Sequence, residues 1–274
     1  MKIDSHQHFW IYEPLKQAWI DSSMQEIAKD FLPKDLKSLL DQTQIDGCVA
    51  VQADQSEDET QFLLDLAKKN PFIKGVVGWV DLKSDNLLER LEYFSKNPLF
   101  KGVRHILQAE KDGFMLQDSF LKGIGQLKNY KLTYDILIYP HQLKEATILV
   151  ERNPDQPFVL DHLAKPNIKD QKIDEWARHI QRLAVFKNVY CKLSGMVTEA
   201  DWNHWQGSDF EDYMSVVLKA FGSERVMFGS DWPVCLLAGS YPHVIELVEQ
   251  FIKNLSTDDR NKIMGINAQN FYKL

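Results

Sequence analysis

Eight short apolar runs, each followed by a segment of helical periodicity, constrain the fold of this chain more than any other sequence feature. The runs cover residues 2–6, 47–53, 75–80, 102–106, 132–137, 158–163, 189–193 and 226–230. The helical segments between them cover residues 33–40, 60–67, 85–94, 117–128, 141–152, 170–185, 209–221 and 241–253. Sustained alternation of strand and helix implies parallel strands joined by right-handed crossovers. Eight such units predict an α/β fold of the (β/α)8 TIM-like barrel type.

The main alternative to the barrel is an open, doubly wound sheet. Such a sheet usually has a glycine-rich turn after its first strand, where a dinucleotide binds. This chain reads HQHFW at residues 6–10 instead. Because no low-complexity linker divides the 274 residues, we predict a single domain, residues 1–274.

The composition narrows the class of function. The formal net charge is −7, and no run of lysine or arginine offers a surface for a phosphate backbone, which argues against a nucleic-acid partner. No apolar stretch approaches the ~18 residues that span a bilayer, and the N-terminus lacks a signal-peptide core. We therefore expect a cytoplasmic protein that acts on a small molecule, without a membrane partner, while a homo-oligomer is left open. Cys48, Cys191 and Cys235 lie in apolar runs and are expected to be reduced core thiols.

Polar side chains cluster where the predicted strands end. In strand order they are His6, His8, Gln52, Asp54, Trp79, Asp81, Arg104, His105, Asp135, Asp161, His162, Lys165, Lys192, Ser194, Asp231 and Trp232. In a (β/α)8 barrel the carboxyl ends of all strands meet at one face, where active sites are built. Two long connections, residues 9–30 and 195–207, would lie at the same face, and their tryptophans suit either lids or packing at the rim.

His6, His8 and Asp231 are the first candidates for chemistry. Side chains two apart on a strand point to one face, so His6 and His8 can converge on one atom. Two neutral imidazoles and a carboxylate suit a divalent ion, and zinc with three protein ligands keeps one position for water. The residues predict a mononuclear metal site or, equally, a general base at Asp231. A simple hydrogen bond between the two histidines is the alternative.

Three further residues are candidates for substrate contact. His162 follows the apolar residues 158–160 and is expected to orient a water or a substrate carbonyl rather than to fill the core. The planar fork of Arg104 suits a carboxylate or a polyhydroxylated ligand, with an ion pair at the rim as the alternative. Lys165 is a similar case.

Taken in order, the motifs around these residues resemble the amidohydrolase superfamily, and more closely its amidohydrolase-related lactonase branch. The motifs are DSHQHFW at 4–10, GVRH at 102–105, LDHLAKP at 160–166, KLSG at 192–195 and FGSDWP at 228–233. The resemblance spans essentially the full length. It implies a TIM-like barrel that hydrolyses a cyclic ester, with His6, His8, His162 and Asp231 in the site.

The chain departs from this resemblance at two positions. Binuclear members of the superfamily carry a bridging carboxylated lysine or a glutamate on strand four, where this chain has Arg104 and His105. Many members also place a metal-binding histidine on strand five, where this chain has Asp135. The resemblance therefore implies at most one divalent metal, zinc before others, held by His6, His8 and Asp231, and it also fits a metal-independent enzyme.

On this resemblance we expect a lactonase that acts on a sugar-derived aldonolactone of the fucono- or rhamnono-lactone kind. Asp231 would take a proton from the attacking water, while His162, with His6 and His8, would stabilise the oxyanion. Expected substrate contacts are Arg104, Gln52, Lys165 and His105, with Trp79 and Trp232 against the ring. The sequence does not specify the lactone or its ring size.

Two other functions are compatible with the same residues. The first is a metal-dependent decarboxylase of an aromatic or unsaturated acid, which the missing strand-five histidine disfavours. The second is a barrel that only binds sugar acids, which would leave the polar residues at the strand ends without a reason.

Overall fold

The eight predicted strands are present and form one parallel sheet. A computed structural model describes all 274 residues. The strands are β1 (Ile3–Gln7), β2 (Gly47–Val51), β3 (Ile73–Gly78), β4 (Phe100–Ile106), β5 (Thr133–Leu137), β6 (Phe158–Leu160), β7 (Val189–Leu193) and β8 (Val226–Phe228). Neighbours in the sheet follow the order of the chain. The sheet closes through a parallel bridge between Gln7 and Trp232, so the chain forms the predicted (β/α)8 barrel.

Eight helices surround the barrel, one after each strand. They are α1 (Pro33–Thr43), α2 (Glu57–Lys69), α3 (Leu87–Ser95), α4 (Asp118–Leu127), α5 (Leu143–Glu151), α6 (Asp174–Leu183), α7 (Ser208–Phe221) and α8 (Tyr241–Ile252). Helix α2 shows why the sequence forms them: Ser56 caps its start by accepting from the Glu59 N–H, and Leu63 and Leu64 are buried on the face toward the sheet. Acidic residues in its first turn and lysines in its last turn complement the helix dipole.

A C-terminal segment closes the amino end of the barrel. It consists of α9 (Thr257–Asn261), a π-helical turn (Lys262–Ile266) and α10 (Asn267–Tyr272). Phe271 and Tyr272 of α10 pack against strand residues inside the barrel, among them Ile3, Val77 and Met227. This segment lies beyond the last predicted helix, and Ser256 begins it with a capping pattern that includes Asp259.

Two smaller expectations concern cysteines and membranes. Cys48, Cys191 and Cys235 are buried and unpaired, as expected for core thiols. None of the helices combines the length and the apolarity that crossing a bilayer requires.

Candidate active site

His6, His8 and Asp231 converge at the carboxyl end of the barrel. The Nε2 atoms of His6 and His8 are 3.3 Å apart. Asp231 Oδ1 lies 3.2 Å from His8 Nε2 and 3.8 Å from His6 Nε2. All three side chains are buried. The structure thus brings the two imidazoles of β1 and the carboxylate that follows β8 within contact of one another.

Asp4 and Ser230 hold the two segments that carry this cluster. The Ser230 N–H and hydroxyl donate to the Asp4 carboxylate at 2.8 and 2.6 Å. Burial raises the pKa of Asp4 to about 6. Gly229 allows the close approach, because a Cβ at this position would lie 2.7 Å from His6 Cβ. These contacts give Asp4 and Ser230 a structural role beside the chemical residues.

His162 comes from a left-handed turn that follows β6. Residues 162–165, none of them glycine, all have φ between 51° and 58°. Such a backbone costs about 1–2 kcal/mol per residue, so the surrounding packing must hold the turn. The turn places His162 Nε2 3.9 Å from Asp231 Oδ1 and Nδ1 2.8 Å from Ser194 Oγ. Burial lowers the pKa of His162 to about 4, so the ring is neutral at neutral pH.

Asp231 is ionised although it is buried. Burial alone would raise the pKa of Asp231, but the attraction of the nearby His162 imidazole and a hydrogen bond with His8 outweigh burial and hold the pKa below its usual range. Burial lowers the pKa of His6, and the ammonium of Lys192 lowers it further. The cluster therefore combines the neutral imidazoles of His6 and His162 with an ionised carboxylate.

A cavity of about 260 Å³ opens above this cluster. Of the residues singled out in the sequence, those that line it are His8, Arg104, His162, Lys165 and Asp231. Trp19, one of the tryptophans of the first long connection, also lines it, and the remaining wall residues have no signature in the sequence: Ala53, Gln55, Ile106, Gln108, Ala109, Leu137 and Val234. Trp19 belongs to the connection 9–30, whereas no residue of the connection 195–207 contributes. A small cavity with polar groups on a largely apolar wall suits a small polar ring.

Arg104 is fixed from several sides before any substrate binds. Its Nη1 lies 3.2 Å from Asp161 Oδ2 and 3.2 Å from His6 Nε2. The Gln52 backbone oxygen accepts from Nη2, and Gln52 Nε2 donates to the Arg104 backbone oxygen at 3.1 Å. Gln52 itself is fully buried and does not line the cavity. The expected substrate contact of Gln52 is therefore replaced by support of Arg104.

Trp79, His105 and Trp232 do not line the cavity, in contrast to their expected substrate contacts. Successive strand residues point to opposite faces, so the inward Arg104 forces His105 outward. There His105 Nε2 lies 2.8 Å from Glu110 Oε1, and Nδ1 accepts from Trp79 Nε1 at 3.2 Å. Trp232 is 1% exposed and packs edge-on against two phenylalanines. Trp19 is the aromatic side chain, apart from the histidines, that lines the cavity.

A second polar layer lies inside the barrel next to the first. Lys192 Nζ lies 2.6 Å from Asp135 Oδ2 and 2.9 Å from Asp161 Oδ1, and all three side chains are fully buried. We call Asp135, Asp161 and Lys192 the ionic layer. We call His6, His8, His162 and Asp231 the cavity layer. The two layers meet at His6, whose Nδ1 lies 3.1 Å from Lys192 Nζ.

The donor set of His6, His8 and Asp231 fits one divalent metal. His8 Nδ1 lies 2.7 Å from the Val51 backbone oxygen, which places a proton on Nδ1. His8 Nε2 and Asp231 Oδ1 then face each other as acceptors at 3.2 Å, an arrangement that needs a proton or a cation between them, while His6 Nε2 lies 3.3 Å from His8 Nε2 on the side of Arg104. Their separations of 3.2–3.8 Å are close to the edge of a tetrahedron with zinc–ligand distances of about 2.0–2.1 Å.

Comparison with known proteins places the chain in a family. A family model described as Amidohydrolase matches residues 3–274. An L-fucono-1,5-lactonase from Burkholderia multivorans is 40% identical over 286 residues, covering 100% of this chain and 96% of the relative. An L-fucono-1,5-lactonase from Burkholderia ambifaria is 35% identical over 278 residues, again covering 100% and 96%.

A solved structure agrees with the same placement. A crystal structure of an amidohydrolase from Burkholderia multivorans with bound zinc is 39% identical and has a TM-score of 0.97, covering 100% of this chain and 99% of that chain. The resemblance seen in the sequence motifs is thus confirmed over the full length, and the chain belongs to the amidohydrolase family.

Proposed function

We propose that this chain is a lactonase that opens the ring of a sugar-derived aldonolactone, and that its substrate is of the L-fucono-1,5-lactone kind. The observation that carries the proposal is the convergence of Asp231 with His8 and His162 on the wall of a small cavity. The full-length relatives named L-fucono-1,5-lactonase support the choice of substrate. The identity of the metal, the ring size of the lactone and the roles of the individual residues are part of the same proposal.

Asp231 serves as the base. A water in the cavity attacks the lactone carbonyl carbon, and an Asp231 carboxylate oxygen accepts one of its protons. Asp231 can do so because its carboxylate lines the cavity and pairs with histidines only, with no lysine or arginine. His8, 3.2 Å from Asp231 Oδ1, restricts the orientation of that carboxylate.

His162 and Arg104 stabilise the charge that develops on the carbonyl oxygen. The Ser194 hydroxyl, 2.8 Å from His162 Nδ1, can donate to that nitrogen, which leaves the proton on Nε2 and directs it into the cavity. Nε2–H then donates to the oxyanion. Arg104, which is fixed by Asp161 and Gln52, supplies a positive charge on the same side. Donors held in place before the reaction lower the barrier because they need no reorganisation.

Collapse of the tetrahedral intermediate opens the ring. The bond between the carbonyl carbon and the ring oxygen breaks, and the proton held by Asp231 passes to the leaving ring oxygen. The product is a hydroxy acid, which loses its carboxyl proton to solvent at neutral pH. Asp231 returns to its ionised state, so atoms and protons balance over one turnover.

One divalent metal, zinc before others, would be held by His6, His8 and Asp231. The chemistry that it would supply is Lewis-acid polarisation of the carbonyl and a more acidic water. A lactone is more electrophilic than an amide, so the residues described above can serve ring opening with or without this help.

The contacts of Asp135 do not favour the decarboxylase alternative. Asp135 occupies the strand-five position where related metal sites place a histidine. Its Oδ2 is taken by Lys192 at 2.6 Å and by the Tyr272 hydroxyl at 2.7 Å. The donor atoms that converge with His6 and His8 come from Asp231, and Asp135 is not among them.

A pH-indicator assay over a panel of aldonolactones tests the proposal. Metal-free and zinc-loaded protein are compared on L-fucono-, L-rhamnono- and L-galactono-lactones, with CO2 release from a panel of aromatic acids as a parallel readout. We expect acid production from a deoxysugar lactone and no CO2. Release of CO2 without lactone opening would reverse the assignment.

A further inference from the structure

Lys192 is a charged side chain with no access to solvent or to the cavity. It is fully buried on β7, and its ammonium contacts Asp135 Oδ2 at 2.6 Å, Asp161 Oδ1 at 2.9 Å and His6 Nδ1 at 3.1 Å. These partners come from β5, from the turn after β6 and from β1. One ammonium therefore links four neighbouring parts of the barrel interior.

Asp135, one of the partners of Lys192, is held by a residue of the C-terminal helix. The Tyr272 hydroxyl of α10 donates to Asp135 Oδ2 at 2.7 Å, and Lys192 Nζ lies 5.5 Å from the centre of the Tyr272 ring. Tyr272 is buried among the residues that close the amino end of the barrel. A continuous chain of contacts thus runs from α10 through Asp135 and Lys192 to His6.

Stability alone gives little reason for this chain of contacts. Removing two charges from water costs several kcal/mol per ion, and well-packed apolar side chains often serve stability as well or better. The layer also leaves Asp135 Oδ1 without a hydrogen-bond partner, which is a further cost. We therefore expect the layer to serve orientation, because a buried ammonium fixes the positions of the side chains around it.

His6 is the group in the cavity layer that this orientation reaches. Its Nδ1 lies between Lys192 Nζ at 3.1 Å and Asp161 Oδ1 at 3.3 Å, while its Nε2 faces His8 and Asp231. Rotation of the His6 ring would change the contacts of Nδ1 and of Nε2 at once. A displacement of about 1 Å in a reacting arrangement can cost about 100-fold in rate.

We propose that Lys192, held by Asp135 and Tyr272, is a positioning residue for His6, so that the C-terminal helix α10 supports lactone opening from the opposite end of the barrel. This inference rests on the proposed lactonase function. Lys192 does not touch the substrate, and its effect passes through the His6 ring.

Two variants test the inference by kinetics. Tyr272→Phe removes only the hydroxyl, and we expect kcat to fall about 10-fold with KM nearly unchanged. The double variant Lys192→Met/Asp135→Asn removes the buried pair without leaving an unpaired charge, and we expect a fall of about 100-fold in kcat, again with little change in KM.

A matched control separates positioning from a general loss of stability. Glu57 and Arg90 form an ion pair at 2.7 Å between α2 and α3, away from the cavity. The double variant Glu57→Gln/Arg90→Met removes this pair and should retain wild-type kcat. All variants are assayed where thermal unfolding shows them folded. A Lys192→Met/Asp135→Asn protein with wild-type kcat would overturn the inference, and so would equal losses in both double variants.

Nitrogen NMR of the histidine rings provides a readout that does not depend on turnover. We expect the His6 ring resonances to move in Lys192→Met/Asp135→Asn while those of the exposed His141 stay in place. An unchanged His6 ring would overturn the inference. If the wild-type protein opened no lactone, the proposed function would fail, whereas the NMR comparison would still show whether Lys192 orients His6.

Discussion

The cavity layer and the ionic layer are both buried and polar, yet they differ in how their groups are satisfied. In the ionic layer the Lys192 ammonium contacts both carboxylates at 2.6 and 2.9 Å. In the cavity layer Asp231 faces only imidazoles, and two acceptor atoms, His8 Nε2 and Asp231 Oδ1, lie 3.2 Å apart. Charges that are already paired hold geometry, whereas groups with an unmet need for a proton or a cation are ready for chemistry.

The layers also differ in what surrounds them. The cavity layer opens to a space of about 260 Å³ that admits a small ring. On the side toward the amino end, the barrel is filled by Tyr272, Phe271 and strand residues such as Val159. Buried aspartates therefore have different roles on the two sides of His6. The predictions that follow test this division, beginning with the largest effect.

Asp231→Asn should have the largest effect on catalysis. The amide cannot accept the proton of the attacking water, so we expect kcat/KM for the preferred lactone to fall about 1000-fold. Asp81→Asn is the control, because Asp81 follows β3 and accepts from the Lys83 N–H outside the cavity. It should keep nearly full activity. Full activity of Asp231→Asn in the pH-indicator assay would refute the mechanism.

Gly195→Ala should have the second largest effect on catalysis. A Cβ at Gly195 would lie 2.4 Å from His162 Nδ1, and its φ of 58° disfavours other residues. The His162 ring must move, so we expect a loss of about 100-fold in kcat. At Gly207 a Cβ meets only Leu247 Cδ1, at 3.8 Å, so Gly207→Ala is a matched control. Equal rates for the two variants would show that the position of His162 is unimportant.

His162 should also make the free energy of unfolding depend on pH. Its pKa falls from 6.5 to about 4 on folding because of burial, so the unfolded chain binds the proton more readily. The contribution of His162 is complete above the unfolded pKa and is lost as pH falls toward the folded pKa. Between about pH 7.5 and about pH 5 this loss is about 2 kcal/mol.

Urea denaturation of the wild type and His162→Gln at both pH values measures this contribution. Burial raises the pKa values of Asp4 and Glu59 to about 6 and about 8, which gives the opposite slope in both proteins, so only the difference between them is compared. We expect the wild type to lose more stability in acid. Parallel curves would contradict the low pKa of His162.

His8→Gln should weaken zinc binding by about 10-fold. The variant removes one of three proposed ligands, and a chelator-competition titration reads the affinity without any lactone. His105→Gln is the control, since His105 is turned away from the cavity toward Glu110. Equal zinc affinities of wild type and His8→Gln would exclude this donor set.

The sequence predicts the barrel well because its strands and helices repeat with a clear period. It also predicts the convergence of His6, His8 and Asp231, since side-chain alternation and the common face of strand ends follow from local rules. The same alternation explains why His105 lies outside the cavity. Arg104 and His105 are adjacent on one strand, and only one of them can point inward.

Other features could not be predicted because they depend on tertiary packing. The left-handed turn at residues 162–165 contains no glycine, so no residue preference predicts it. The role of Asp135 depends on Tyr272, which lies 137 residues away in the sequence. Cavity-wall residues such as Leu137 and Val234 have no chemical signature of their own.

Ring opening in ¹⁸O-labelled water tests the central claim most directly. Wild-type protein is supplied with L-fucono-1,5-lactone, and the product is analysed by mass spectrometry against an enzyme-free control. Attack of water on the carbonyl carbon predicts accelerated product formation with one ¹⁸O in the carboxylate. Label in the hydroxyl derived from the ring oxygen, or product formation no faster than in the control, would contradict the account.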